Sequence, residues 1–290
     1  MTTSSAVLIT GCSSGVGRAA ALRFLRSGRP VYATARDIGT ATDLTEAGAV
    51  VLPLDVTDEE SSQAAVERVE ADHGAVGVLV NNAAYGLQGA IETVPLDQAR
   101  ALFETNLFGT VRLTQLALPA MRAAGGGRVV NVSAMGGHIC LPGTGVLHAS
   151  KHAVRAISRT LRMELRLFGI HVSAVEPGPI STPFAVKANA TFPPPAASGA
   201  YRRFHTDVAA RLEAAYQPRA ANLVLSPEAV ARAIERAARA ARPRARYPVG
   251  AMSRTLVTLN GLLPEAALDA VVRSRFPVPV PVPAERYEDG

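Results

Sequence analysis

Residues 6–25 constrain this chain more than any other stretch. The run AVLIT at 6–10 is apolar without polar alternation, the pattern of a strand buried on both faces of a parallel sheet. Gly11, Gly15 and Gly17 follow immediately, and the next segment carries Ala20, Leu22, Phe24 and Leu25 on a helix. Strand, glycine turn and helix in this order are what a dinucleotide site requires. The glycines permit a tight turn and close backbone approach to a pyrophosphate, whose charge a helix N-terminus holds. A plain structural turn is the bland alternative.

The pattern continues along the chain. Segments at 31–34, 50–54, 76–80, 128–132, 170–175 and 246–249 read as further strands, separated by segments of helical period. The expected fold is a single α/β domain over 1–290, a Rossmann-type doubly wound parallel sheet of about seven strands with helices on both faces. A long helix is predicted over 96–124, with Asn106 an awkward polar residue inside it. Another follows Lys151, with Ala153, Ala156, Ile157, Leu161 and Leu165 on its apolar face. Between 185 and 222 the pattern loosens, as in a lid over a substrate. Ser226 followed by Pro227 starts a helix, a last helix is expected at 264–273, and the tail PVPVPVP should be extended.

At the end of the second strand, Arg36 precedes Asp37. An acidic group there reads a free ribose 2′-hydroxyl, whereas an arginine favours a 2′-phosphate. Arg36 comes first, so NADP(H) is favoured over NAD(H).

The chain is 48% hydrophobic and 19% charged, enough apolar residue for one large core, and its formal charge of +6 is spread along the sequence. Nucleic-acid binding is not expected. Twenty-eight arginines accompany only two lysines, Lys151 and Lys187. Arginine cannot replace lysine where a compact ammonium of adjustable pKa is wanted, so Lys151 carries extra weight, while chance is the plainer account of Lys187. Cys12 and Cys140 make neither a disulfide framework nor a metal pattern, and no metal site is expected. With no apolar run of roughly 18 residues and no basic leader, the expectation is a cytoplasmic protein without a membrane span.

These motifs together resemble the short-chain dehydrogenase/reductase family over about residues 5–250. They are TGCSSGVG at 10–17, DVT at 55–57, NNAA at 81–84, Asn106, Lys151 and PGPIST at 177–182. The ATARD segment and the region after 240 look like the branch containing 17-beta-hydroxysteroid and retinol-type dehydrogenases, which implies a small lipophilic substrate. The resemblance implies that the cofactor is held by Gly11, Ser13, Ser14, Gly15, Val16, Gly17, Arg36, Asp55, Val56, Asn82, Ala83, Lys151, Pro177, Gly178 and Thr182. It also implies a homo-oligomer, dimer or tetramer, paired through the two long helices.

The same resemblance exposes a departure. In the family a tyrosine four residues before the lysine handles the substrate proton, and a serine thirteen residues earlier holds the carbonyl oxygen. The lysine binds the nicotinamide ribose and lowers the tyrosine pKa, with an asparagine behind it supporting a water relay. Here the tyrosine position is Leu147 and the serine position Ala134, both expected to line the substrate pocket. Lys151 and Asn106 remain. Three residues are candidate replacements: Ser133, which at a strand end points to the opposite face; His148, rotated about 100° from the Leu147–Lys151 face; and His138, on the loop bordering substrate.

Reducing a plain ketone needs an acid for the developing alkoxide, and general acid catalysis typically contributes about 10²- to 10⁴-fold. Three functions follow. The first is an atypical NADP(H)-dependent oxidoreductase acting on an activated lipophilic molecule such as an enone, a quinone methide or an iminium ion. The second is a non-redox enzyme on this scaffold, a cyclase, isomerase or dehydratase, with the cofactor structural or absent. The third is a catalytically silent binding subunit.

Overall fold

The computed structural model describes residues 4–194, 199–216 and 223–276. Seven parallel strands form one sheet: β1 Val7–Ile9, β2 Val31–Ala35, β3 Val50–Pro53, β4 Val78–Asn81, β5 Gly127–Val132, β6 Ile170–Pro177 and β7 Arg246–Val249. Their order is β3-β2-β1-β4-β5-β6-β7, the doubly wound arrangement predicted. The order reverses between β1 and β4, and a ligand crevice opens there at the carboxyl ends of the strands.

The helices are α1 Gly15–Arg26, α2 Thr42–Glu46, α3 Glu59–His73, α4 Leu96–Phe103, α5 Gly109–Ala123, α6 Gly145–Glu164, α7 Pro183–Asn189, α8 Arg202–Ala214, α9 Pro227–Arg239, α10 Ala251–Asn260 and α11 Glu265–Arg275. Two apolar layers sandwich the sheet. One packs Phe24 of α1 and Ile234 of α9 against Val7, Ile9 and Val80. The other packs Val66 and Val69 of α3 and Leu113 and Met121 of α5 against Leu8, Leu79 and Val129. Alternate residues of each central strand therefore enter opposite layers, which is why the strands read as unbroken apolar runs.

Three details differ from the sequence expectation. The helix predicted over 96–124 is interrupted by a π-turn at Glu104–Phe108 that separates α4 from α5. Asn106 lies inside it, buried, and its amide is spent outside the helix. An extra residue in a turn releases backbone and turns a side chain, and periodicity does not register it. The last helix is preceded by a further one, α10, which the pattern after β7 did not reveal. The stretch predicted as a loosely patterned lid carries α7 and α8 among its described residues, while the tail PVPVPVP lies outside the described residues.

The segment carrying α7 and α8 is fastened to the segment following β4. Gln88 N–H donates to Thr191 Oγ1 at 2.8 Å, and Ala90 N–H to His205 Nε2 at 3.1 Å. Phe204 and Val208 of α8 close a small apolar cluster with Ala90. No helix among the described residues is long and apolar enough to cross a membrane.

Candidate active site

One cavity of about 890 Å³ runs along the carboxyl ends of the strands. Gly11, Ser13, Ser14, Gly15 and Val16 line it near the switch point, and Arg36, Asp55 and Val56 line one end. Ala134, Leu147 and Lys151 line the other.

The glycine turn is built for close approach. Gly11 and Gly15 have φ of +71° and +57°, where a side chain is strained. Gly17 has no such φ, but a Cβ on it would drive into the Gly11 carbonyl oxygen, with Asn82 Nδ2 only 2.7 Å away. Asn82 Nδ2 donates to the carbonyls of Thr10 and Gly11 at 2.8 and 3.1 Å. Thr10 Oγ1 accepts from the N–H groups of Asn82 and Ala83. These bonds clamp the ends of β1 and β4 together and hold the glycine turn open at the start of α1. A dinucleotide fits this cradle, with pyrophosphate at the N-terminus of α1.

At the adenosine end the two neighbouring charges part. Asp37 turns away to cap a short 3₁₀ turn, its Oδ1 accepting from Gly39 N–H at 2.9 Å, and it does not line the cavity. Arg36 does. Asp55 is partly buried, which raises a carboxyl pKa. Hydrogen bonds from the Thr57 N–H and hydroxyl, together with the Arg36 charge, outweigh this and hold the group below its usual range.

At the opposite end, Leu147 and Lys151 lie one turn apart on α6 and both face the cavity. Lys151 is 6% exposed; burial lowers its pKa to about 8, and its Nζ donates to the Val132 carbonyl at 3.2 Å. Behind it, Asn106 Nδ2 donates to Tyr85 O and to Ser150 Oγ, and Asn106 Oδ1 accepts from Tyr85 N–H. Asn106 does not itself line the cavity.

The three candidate replacements are placed differently. Ser133 lines the wall, but its hydroxyl donates to the Lys151 carbonyl at 3.1 Å. His148 also lines the cavity, yet its ring braces the glycine-rich loop: Nδ1 accepts from Leu141 N–H at 3.2 Å, and Thr144 Oγ1 lies 3.3 Å from Nε2. Burial, then the neighbouring His152, pushes its pKa down to about 4, so the ring is neutral near pH 7. His138 does not reach the cavity. Contrary to the expectation that it borders substrate, its side chain is buried against β6, with Nε2 2.9 Å from Glu176 Oε1. The loop turns inward under α6 at Gly136 and Gly137, which are themselves buried, and carries His138 into the interior.

Sequence reasoning passed over Glu176, an acid on a strand that also carries His171 and Ser173, and its only signal was a carboxylate directly after the apolar Ala174 and Val175. It also passed over Phe184, Thr191 and Tyr216, cavity residues between β6 and α9, and left Lys187, which lines the cavity there too, to chance. So loosely patterned a stretch has no periodicity that points to the residues facing inward.

Comparison with known proteins agrees with this architecture. The family described as short chain dehydrogenase matches residues 5–192. Uncharacterized oxidoreductase YbbO of Escherichia coli (strain K12) is 36% identical over 269 residues, covering 92% of this chain and 93% of that one. The 17-beta-hydroxysteroid dehydrogenase type 1 of Homo sapiens is 41% identical over 193 residues, 62% of this chain and 58% of that one. Among solved structures, a short-chain dehydrogenase from Streptomyces avermitilis superposes with a TM-score of 0.73 at 33% identity, covering 93% of this chain and 95% of that chain.

Proposed function

This chain belongs to the short-chain dehydrogenase family, and from that premise we propose that it is an NADP(H)-dependent oxidoreductase acting on an activated lipophilic small molecule without a tyrosine acid. The observation that carries this reading is the composition of the cavity around Lys151. Leu147 and Ala134 occupy the wall, while the polar side chains beside them in sequence are committed elsewhere: Ser133 to Lys151, and His148 to the loop.

NADP(H), when bound, supplies or takes up the hydride. The glycine turn and α1 hold the pyrophosphate, Arg36 meets the 2′-phosphate, and Lys151 binds and orients the nicotinamide ribose through the donors left free by Val132. Leu147 and Ala134 exclude water beside the reacting carbon. They offer no hydrogen bond to a developing alkoxide, so a simple ketone loses both its acid and its oxyanion partner. An enone or quinone methide delocalises the developing charge and an iminium ion neutralises it, and neither asks for that acid.

The 17-beta-hydroxysteroid dehydrogenase named above supports a lipophilic substrate, as do Ile180 and Phe184 on the cavity wall. Pairing with a second copy through the helices at 96–123 and 145–164 belongs to the same reading, supported by the exposed Leu96, Phe108 and Met163 there.

Titration of the protein with NADPH, followed by quenching of protein fluorescence or by calorimetry, tests the redox reading first. Saturable binding is expected. No binding of NADPH or NADP⁺ removes hydride transfer and leaves non-redox chemistry on this scaffold.

A further inference from the structure

Away from the cavity, Glu176 is 0% exposed and His138 4%. Their side chains meet at 2.9 Å, and Glu176 Oε2 has no hydrogen-bond partner among the described residues. Apolar residues of similar volume commonly serve a core as well as a buried polar pair, or better. Packing therefore does not require this pair, and the orphaned carboxylate oxygen makes it costly to keep. Departures of this kind concentrate where side chains hold a functional site in place.

What the pair joins gives it such a task. Glu176 lies on β6 directly before Pro177 and Gly178, which line the cavity. This end of β6 is held on both sides, with Val175 opposite Val132 of β5 and Glu176 opposite Pro248 of β7, and Ser253 Oγ donates to the Glu176 carbonyl at 2.7 Å. His138 belongs to the loop 135–144, which joins Ala134 to α6. Bonds from Gly137 N–H to Ala134 O and from His138 N–H to Met135 O shape the loop's own turn, and Leu141 N–H ties its far half to His148. Among the described residues, His138 with Glu176 is the one hydrogen bond from this loop to β6. The loop also runs close beneath the Lys151 end of the cavity: a Cβ on Gly137 would lie 2.9 Å from both the Lys151 carbonyl oxygen and Ser133 Oγ. A displaced loop is therefore felt at Ser133, Ala134 and Lys151.

We propose that His138 and Glu176 are a positioning pair, whose bond fixes the 135–144 loop to the end of β6 and so sets the separation of the Ala134 wall from the Pro177 and Gly178 wall. Substrate lies against the first wall and cofactor against the second. Misplacement of reacting groups by about 1 Å, even from a distant change, costs on the order of 10²-fold in rate. The anchoring stands on the contacts themselves, while its consequence for rate rests on the reading of this cavity as a site of hydride transfer.

The test compares the full parent chain with Glu176→Gln and with the paired variant His138→Leu/Glu176→Met, each well below its Tm. Glutamine offers both an acceptor and a donor and keeps the bond in either ring tautomer, so Glu176→Gln is expected to oxidise NADPH with a cyclic enone within about threefold of the parent rate. The paired variant refills the space with apolar atoms but cannot hold the loop by a directed bond. It is expected to bind NADPH within about twofold of the parent, to exchange amide hydrogens over 135–144 at least about tenfold faster, and to oxidise NADPH at saturating enone at least about tenfold more slowly. A parent-like exchange or a parent-like rate in the paired variant reduces the pair to packing and overturns the proposal. So does a rate that falls only together with NADPH affinity, which places the effect on the cofactor, or an equal loss of rate in Glu176→Gln, where the bond is kept. If the parent oxidises no NADPH with any activated acceptor, the hydride reading falls and exchange alone decides: faster exchange over 135–144 in the paired variant upholds the anchoring, and parent-like exchange overturns it.

Discussion

The hydroxyl of Ser133 donates to the backbone carbonyl of Lys151 at 3.1 Å, so this serine braces the Lys151 turn of α6 and its proton is engaged there. The proposed function gives Ala134, beside it, the oxyanion position and Leu147 the acid position. Restoring both groups tests whether they alone are missing. The double variant Ala134→Ser with Leu147→Tyr is expected to gain NADPH-dependent reduction of simple ketones by about 10²-fold or more, measured as kcat/KM. Leu147→Tyr alone should gain less, because the oxyanion partner is still absent.

Arg36 lines the cavity while Asp37 is occupied capping Gly39. Arg36→Asp is therefore expected to reverse cofactor preference, weakening NADPH by at least about tenfold and sparing NADH. Parallel titrations with the two cofactors check this. Asp37→Ala should leave the NADPH to NADH ratio nearly unchanged.

His148 imposes a pH dependence on stability. Its pKa is about 4 in the folded chain against an ordinary 6.5, so between these values the unfolded chain binds a proton that the folded chain refuses. Stability contributed by the neutral ring is fully present above about pH 6.5 and is lost as pH falls toward 4, amounting to about 3 kcal/mol. Urea unfolding from pH 7.5 to 4.5 should show this loss. His148→Asn should flatten that part of the profile.

His138 and Glu176 meet in the interior, and Glu176 Oε2 has no hydrogen-bond partner among the described residues. His138→Leu leaves the whole carboxylate unpaired there and is expected to cost about 3 kcal/mol, with a clear fall in Tm. Glu176→Gln retains an amide oxygen for the ring and should cost less. Since His138 lies outside the cavity, NADPH affinity of the folded His138→Leu protein should match that of the parent.

Much of the fold was legible because its signals are local. Buried parallel strands read as apolar runs, and the turn at Gly11, Gly15 and Gly17 needs residues without a Cβ, so β1, α1 and the cradle were evident. Arg36 stood out at a strand end, and Lys151 as one of only two lysines and as a match to the family motif. What escaped depended on direction and tertiary contact. A π-turn at Asn106 alters helix phase without altering composition. The inward path of the loop through Gly136 and Gly137 decides that His138 meets Glu176, and no spacing encodes it. Lys187 and Tyr216 lie between β6 and α9, in a stretch whose contacts, such as Gln88 with Thr191 and Ala90 with His205, join residues more than a hundred positions apart.

The proposed division of this site into an intact cofactor half and a substituted proton half is tested most directly by single-turnover stopped flow, following NADPH oxidation at 340 nm. A cyclic ketone, its conjugated enone and a cyclic iminium salt of similar size are compared under identical conditions. Oxidation of NADPH by the enone or the iminium ion at least about 10²-fold faster than by the ketone, beyond the ratio of their uncatalysed reactivities, is expected. Rapid turnover of the ketone by the parent chain would show that another group supplies the proton and that Leu147 and Ala134 do not disable this half of the site.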